Sequence, residues 1–260
     1  MTKLEEIVAY KRVEVAEAKR ALPISKLERQ LRERPPIRPF RQAIHRQGSL
    51  SLIAEIKRAS PSAGTIRPEA DAAGIAKRYA GAGVQAISVL TDTKFFSGSL
   101  KDLEAVREAV AVPILRKDFL LEEYQVIESA GAGADVVLLI MAILEEPVLK
   151  RLIRFSHDLG IEALVEVHTE QEVKQALEAG ATVLGINNRD LKTFQVDLQT
   201  LKRLRPLVPP DRTVVSESGI RSRADVEFVL QQGVHAVLIG EELMVSRDVE
   251  TRIKELMGCG

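Results

Sequence analysis

Along most of the chain a short run of apolar, largely β-branched residues gives way to a stretch whose apolar positions recur every three or four residues. The junction back from the second pattern to the first repeats four times, as AGAGVQAISVL, AGAGADVVLLI, EAGATVLGIN and QQGVHAVLIG. Each copy places a glycine (Gly83, Gly133, Gly180, Gly233) where a helix hands over to a buried strand. A second strand family lies between the copies: LIAEIK at 52–57, VPILRKDF at 112–119, IEALVEV at 161–167 and TVVSESG at 213–219. The amphipathic stretches near 69–81, 100–109, 122–131, 145–159, 169–179, 197–205, 222–232 and 247–257 complete eight strand–helix units. That alternation predicts an α/β fold, a single (β/α)8 TIM barrel forming one domain over residues 1–260. An open doubly wound sheet is the alternative, and it lacks the G-x-G-x-x-G turn after its first strand.

Residues 1–47 stand outside the repeat. Leu4, Ile7, Val8 and Val15 predict one amphipathic helix, Ile24, Leu27 and Leu31 a second, and PPIRP at 35–39 an extended connector. This N-terminal helical extension has an apolar face to bury, either over the barrel mouth as a lid or against the opposite end.

Composition narrows the function. The 260 residues carry 37 basic and 37 acidic side chains, so no basic footprint for nucleic acid or a membrane surface exists. A single cysteine, Cys259, permits no internal disulfide, and His45, His157, His168 and His235 show no HxH or HExxH spacing. Neither metal chemistry nor a metal site is expected. No apolar run is long enough for a membrane span, and the first twenty residues lack the apolar core of a signal peptide, so a cytoplasmic location is expected.

In a barrel, side chains at the carboxyl ends of the strands share one mouth. Lys57, Lys117, Glu166 and Glu217 end otherwise apolar strands, following the period of the repeat, and Glu55 sits on the same strand face as Lys57, one layer deeper. Ion pairs that merely close the core would explain any one of them. All five together point to acid–base chemistry, because charges sharing a low-dielectric cavity shift one another's pKa values. Asn187 ends strand six, as a polar ligand or a turn former, and the glycines after strands seven and eight, in Ser218-Gly219-Ile220 and Ile239-Gly240-Glu241, fall where barrels bind phosphate.

These segments resemble the indole-3-glycerol phosphate synthase family of tryptophan biosynthesis: IAEIKRASPSAG (53–64), LTDTKFFSGS (90–99), ILRKDF (114–119), ADVVLLI (134–140), LVEVH (164–168), GINNRDL (185–191), VSESGI (215–220) and LIGEELM (238–244). The resemblance implies a substrate, 1-(2-carboxyphenylamino)-1-deoxyribulose 5-phosphate, that is closed to a ring with loss of carbon dioxide and water. It implies Lys117 as general acid at the ketone oxygen, Glu166 as the carboxylate that holds the developing ammonium charge and takes up a proton, and Glu55 with Lys57 in the later dehydration. Asn187, Glu217 and Ser218 match positions that hold the ribulose hydroxyls and the two lysines. Ser60, Gly219, Gly240 and Glu241, with Lys57 nearby, match the phosphate cradle. Phe96, Phe119, Leu138 and Leu191 match the wall behind the anthranilate ring. Arg189 faces either the substrate carboxylate or a partner in Asp190 or Glu166. No cofactor is implied, and a monomer acting on a small sugar phosphate is expected. Two features depart from the common pattern: Ala63 stands where a basic residue is frequent, and Glu241 and Glu242 follow the phosphate glycine.

Three other readings are weighed against this one. An isomerase of the same barrel type, acting on phosphoribosyl anthranilate, would need a Cys and Asp pair at strand ends. A Schiff-base aldolase would use Lys117 as nucleophile. A silent phosphate-binding barrel would not keep its strand-end charges.

Overall fold

The computed structural model describes residues 2–46, 48–191 and 193–258, which leaves Cys259 outside the described residues. Eight parallel strands close a barrel: β1 (Ser51–Ile56), β2 (Ala86–Leu90), β3 (Ile114–Lys117), β4 (Val136–Ile140), β5 (Glu162–Val167), β6 (Val183–Asn187), β7 (Thr213–Glu217) and β8 (Ala236–Ile239). Closure is made by β1 against β8, with Ser51 opposite Ala236 and Ala54 opposite Ile239. That pairing excludes the open sheet. The eight helices fall within a few residues of their expected spans, from Ala72–Gly81 to Val249–Met257. All four junction glycines adopt positive φ, between 72° and 94°, which only a residue without Cβ takes at little cost.

The period of two along each strand sorts the side chains into two layers. Leu52, Ala54, Ile87, Val89, Val137, Leu139, Val165 and Val214 belong to the cluster between sheet and helices. Ile53, Ala86, Leu115, Val136, Leu138, Leu164, Val183, Val215, Ala236 and Leu238 fill the barrel itself. The strand-end charges therefore stand on a dry apolar floor.

The N-terminal extension has three helices: α1 (Lys3–Ala21), α2 (Ile24–Glu33) and a five-residue α3 (Phe40–Ile44) that follows the connector at 35–39 and that the sequence reading does not predict. Their roles divide between the two ends of the barrel. Phe40 and Ile44 are fully buried beneath the interior cluster. Around them Arg38 N–H donates to Asp135, Arg41 N–H to Glu162 and the Arg41 guanidinium to Thr213, all near the amino ends of strands. At the other end α1 brings Leu4 and Ile7 to the barrel mouth. Lys11, 1% exposed, anchors it there, with Nζ 2.9 Å from Asp92 and 2.8 Å from Asp118. The extension is both a wall of the mouth and a plug for the opposite end.

Candidate active site

The mouth holds one cleft, and all sixteen side chains and glycines singled out in the sequence line it: Glu55, Lys57, Ser60, Phe96, Lys117, Phe119, Leu138, Glu166, Asn187, Arg189, Leu191, Glu217, Ser218, Gly219, Gly240 and Glu241. Their convergence follows from the inward face of each strand. Glu55 and Lys57 are two apart on and just beyond β1, Lys117 ends β3, Glu166 is the penultimate residue of β5, and Glu217 ends β7.

Two ion pairs organise the cleft. Lys57 Nζ lies 3.0 Å from Glu55 Oε1, the cationic partner that a carboxylate in that layer requires. Lys117 Nζ is bracketed, 3.1 Å from Glu166 Oε2 and 3.3 Å from Glu217 Oε2. Burial opposes the lysine's charge, yet Glu166, Glu217 and Glu55 outweigh it and raise its pKa well above the usual value. The two flanking carboxylates diverge. Burial disfavours the Glu166 anion, but Lys117 and His168 more than compensate and hold it far below the ordinary range. For Glu217 burial prevails; Lys117 offsets it only in part and the Glu166 charge adds to it, so its pKa is pushed up to about 8. The two carboxyls beside Lys117 are thus pushed in opposite directions, Glu166 toward the anion and Glu217 toward the neutral acid. Neighbouring groups driven apart in this way are the usual signature of divided acid and base roles.

Around this core, Asn187 Oδ1 accepts from the Arg189 N–H at 3.0 Å, so its carbonyl forms the turn after β6. The Arg189 guanidinium donates to the Phe194 carbonyl, and no bond joins it to Glu166. Ser60 lies in a small hairpin, Ala59–Ser60 against Gly64–Thr65, where its hydroxyl accepts from the Ala63 N–H. After β7 the chain turns through Ser218 and Gly219 with φ of 63° and 86°, and a Cβ on Gly219 would press into Val196. After β8, Gly240 opens a helical turn, Glu241–Met244. Glu242 is held by Arg252 at 3.0 Å. Phe96 and Phe119 stack at 6.0 Å along one wall.

Leu4 and Ile7, on the helix expected over the mouth, complete the wall from the extension, and Ile220 joins the rim with Phe194 and Arg221, which the sequence reading does not single out. His168, considered only as a metal ligand, has its Nε2 3.3 Å from Glu166 Oε1. The signal was its place two residues after Glu166, on the same strand face.

A closed parallel barrel with a buried acid–base cluster at the carboxyl ends of its strands defines a (β/α)8 enzyme scaffold. Solved barrels share the fold: 3-hexulose-6-phosphate synthase aligns at TM-score 0.66 with 15% identity, covering 80% of this chain and 99% of that one. Thiamine phosphate pyrophosphorylase from Pyrococcus furiosus aligns at 0.60 with 18% identity, covering 80% and 93%. The family model for indole-3-glycerol phosphate synthase matches residues 4–256, and the chain belongs to that family. An indole-3-glycerol phosphate synthase of Dehalococcoides mccartyi is 47% identical over 98% of this chain and 99% of its own length. Relatives of the same name from Desulfotalea psychrophila and Roseiflexus sp. are 49% and 42% identical, over 93% and 99% of this chain and 93% and 98% of theirs.

Proposed function

We propose that the chain converts 1-(2-carboxyphenylamino)-1-deoxyribulose 5-phosphate to indole-3-glycerol phosphate, carbon dioxide and water, as one step of tryptophan biosynthesis. The observation that supports this most is the bracketed Lys117: a cation held between two buried carboxyl groups in a cleft with an aromatic wall. Family membership over nearly the whole chain supplies the reaction.

In this reading the anthranilate ring lies against Phe96, Phe119, Leu138 and Leu191, with Leu4 and Ile7 excluding water. The ring carbon bearing the carboxylate attacks the ketone, and Lys117 gives its proton to the ketone oxygen. Glu166 remains an anion through this step and faces the positive charge that develops at nitrogen. Loss of carbon dioxide returns the bonding pair to the ring. The new hydroxyl then leaves as water on a proton from Lys57, while Glu55, paired to it, takes a proton from the adjacent ring CH2, whose electrons form the double bond of the indole. Asn187, Glu217 and Ser218 hold the ribulose hydroxyls and the lysines. Ser60 and the backbone around Gly219, Gly240 and Glu241 receive the phosphate, and Lys57 lends its charge. Arg189 faces the substrate carboxylate.

The balanced charge supports a small-molecule substrate rather than nucleic acid, and a monomer in the cytoplasm belongs to the same reading. No described helix is long and apolar enough to cross a membrane. Purified protein mixed with the anthranilate–ribulose substrate, without metal or nucleotide, is expected to develop indole fluorescence and release carbon dioxide. Unchanged substrate after prolonged incubation would contradict the proposal.

A further inference from the structure

The imidazole of His168 lies between two carboxylates. Its Nε2 is 3.3 Å from Glu166 Oε1 and its Nδ1 3.2 Å from Glu172 Oε2. A neutral imidazole offers one N–H and one lone pair, so a neutral ring would turn a lone pair toward one of the two anions. Only the imidazolium can donate at both ends.

The ring cannot easily turn away. Thr169 caps helix Glu170–Glu178 by accepting from the Glu172 N–H, which fixes the first helical turn. The Glu172 carboxylate accepts at 2.7 Å from the backbone N–H of His168 itself as well as facing its ring. The neighbouring segment Met141–Ile143 is apolar and contributes no competing charge. The side chain is 10% exposed. Beyond Glu166 the pattern continues to Lys117, on the other carboxylate oxygen. Glu172, His168, Glu166 and Lys117 form an alternating row of charges that leads from a helix N-terminus into the cleft.

We infer that His168 is a positioning residue: as a fixed cation it occupies one oxygen of Glu166, keeps that carboxylate ionised and turns its other oxygen to Lys117. The inference rests on the proposed reaction, in which Glu166 must remain an anion while Lys117 gives up its proton. Burial works against a charged ring here, but the Glu166 and Glu172 carboxylates on either side overcome it and push the histidine up to about 10. Among the described residues, Glu166 and Glu172 are the charged groups within ion-pair distance of the ring, while Lys117 and Glu217 meet each other beyond Glu166.

Two measurements test this. In the wild-type chain, nitrogen chemical shifts of the His168 ring are expected to report imidazolium up to about pH 9, whereas in Glu166→Gln the ring should titrate at a lower pH. A neutral wild-type ring at about pH 8 would overturn the inference. For His168→Gln, kcat is expected to fall roughly tenfold with KM changed less than threefold. The acidic limb of the kcat profile should move up in pH by about one unit, because Glu166 then protonates more readily. A variant with unchanged kcat and an unshifted acidic limb would also overturn it. His168→Phe should show the same displaced limb, which loss of packing alone would not produce. The ring titration needs no substrate. An inactive wild-type chain with a permanently charged ring would therefore reject the proposed reaction and leave the charge row intact.

Discussion

Gly185 of β6 leaves open the space that the Glu217 carboxylate of β7 occupies, since a Cβ at that position would fall inside contact distance of Glu217 Oε1. The two strands are paired so that Asn187 lies opposite Glu217 and Gly185 opposite Val215, with Gly185 and Glu217 on adjacent layers of the barrel interior. A glycine at this point lets the Glu217 carboxyl reach Lys117.

Gly185→Ala should therefore act on the site rather than on the backbone. Overpacking of this kind costs about 1–3 kcal/mol. Displacing Glu217 by even 1 Å should lower kcat by roughly 10²-fold. Steady-state kinetics together with thermal unfolding check this. A variant with wild-type kcat would show that Glu217 need not stand where it does.

The two ends of the extension should separate in kinetics. Phe40→Ala removes a fully buried ring at the closed end of the barrel and should cost about 3–5 kcal/mol, with kcat and KM unchanged below the unfolding transition. Lys11→Met leaves Asp92 buried without its cation and Asp118 with Arg116 alone, again about 3–5 kcal/mol, but α1 also carries Leu4 and Ile7, so KM should rise severalfold. Calorimetry and substrate titration on both variants would decide it. If Lys11→Met left KM unchanged, α1 would be a structural brace and no part of the substrate wall.

The barrel was legible because its inward face obeys a period of two on every strand: Ile53, Glu55 and Lys57 show the change from apolar floor to charged mouth within one strand. The residues that stayed hidden owe their roles to contacts distant in sequence. Lys11 stands in a charged stretch of an amphipathic helix and reads as solvated, yet it is buried against aspartates more than eighty positions away. Arg116 alternates outward from Lys117 and pairs with Glu128 and Asp118 behind the sheet. The five residues of α3 are too few to display a helical period. Glu172 reads as an exposed helix residue until its carboxylate is seen folded back on His168.

His235 should contribute a loss of stability as the pH drops from about 6.5 to about 4. Burial, the His45 ring 4.0 Å away, and Arg205 and Arg41 lower its pKa from 6.5 to about 4. Between those values the unfolded chain binds the extra proton and the folded chain does not, so stability rises with pH across the window. Thermal unfolding of wild type and His235→Asn at about pH 4.5 and about pH 7 tests the sign. The variant should show the smaller difference in Tm between the two, and an equal or larger difference would exclude His235 as the source.

The most direct measurement is the turnover of Lys117→Met with the anthranilate–ribulose substrate at saturation, followed by indole fluorescence beside the wild-type chain. Loss of a general acid should lower kcat by about 10²–10⁴-fold while KM stays within a few-fold, because the aromatic wall and the phosphate loops are untouched. Retention of half the wild-type kcat would contradict the assignment of Lys117 as the proton donor.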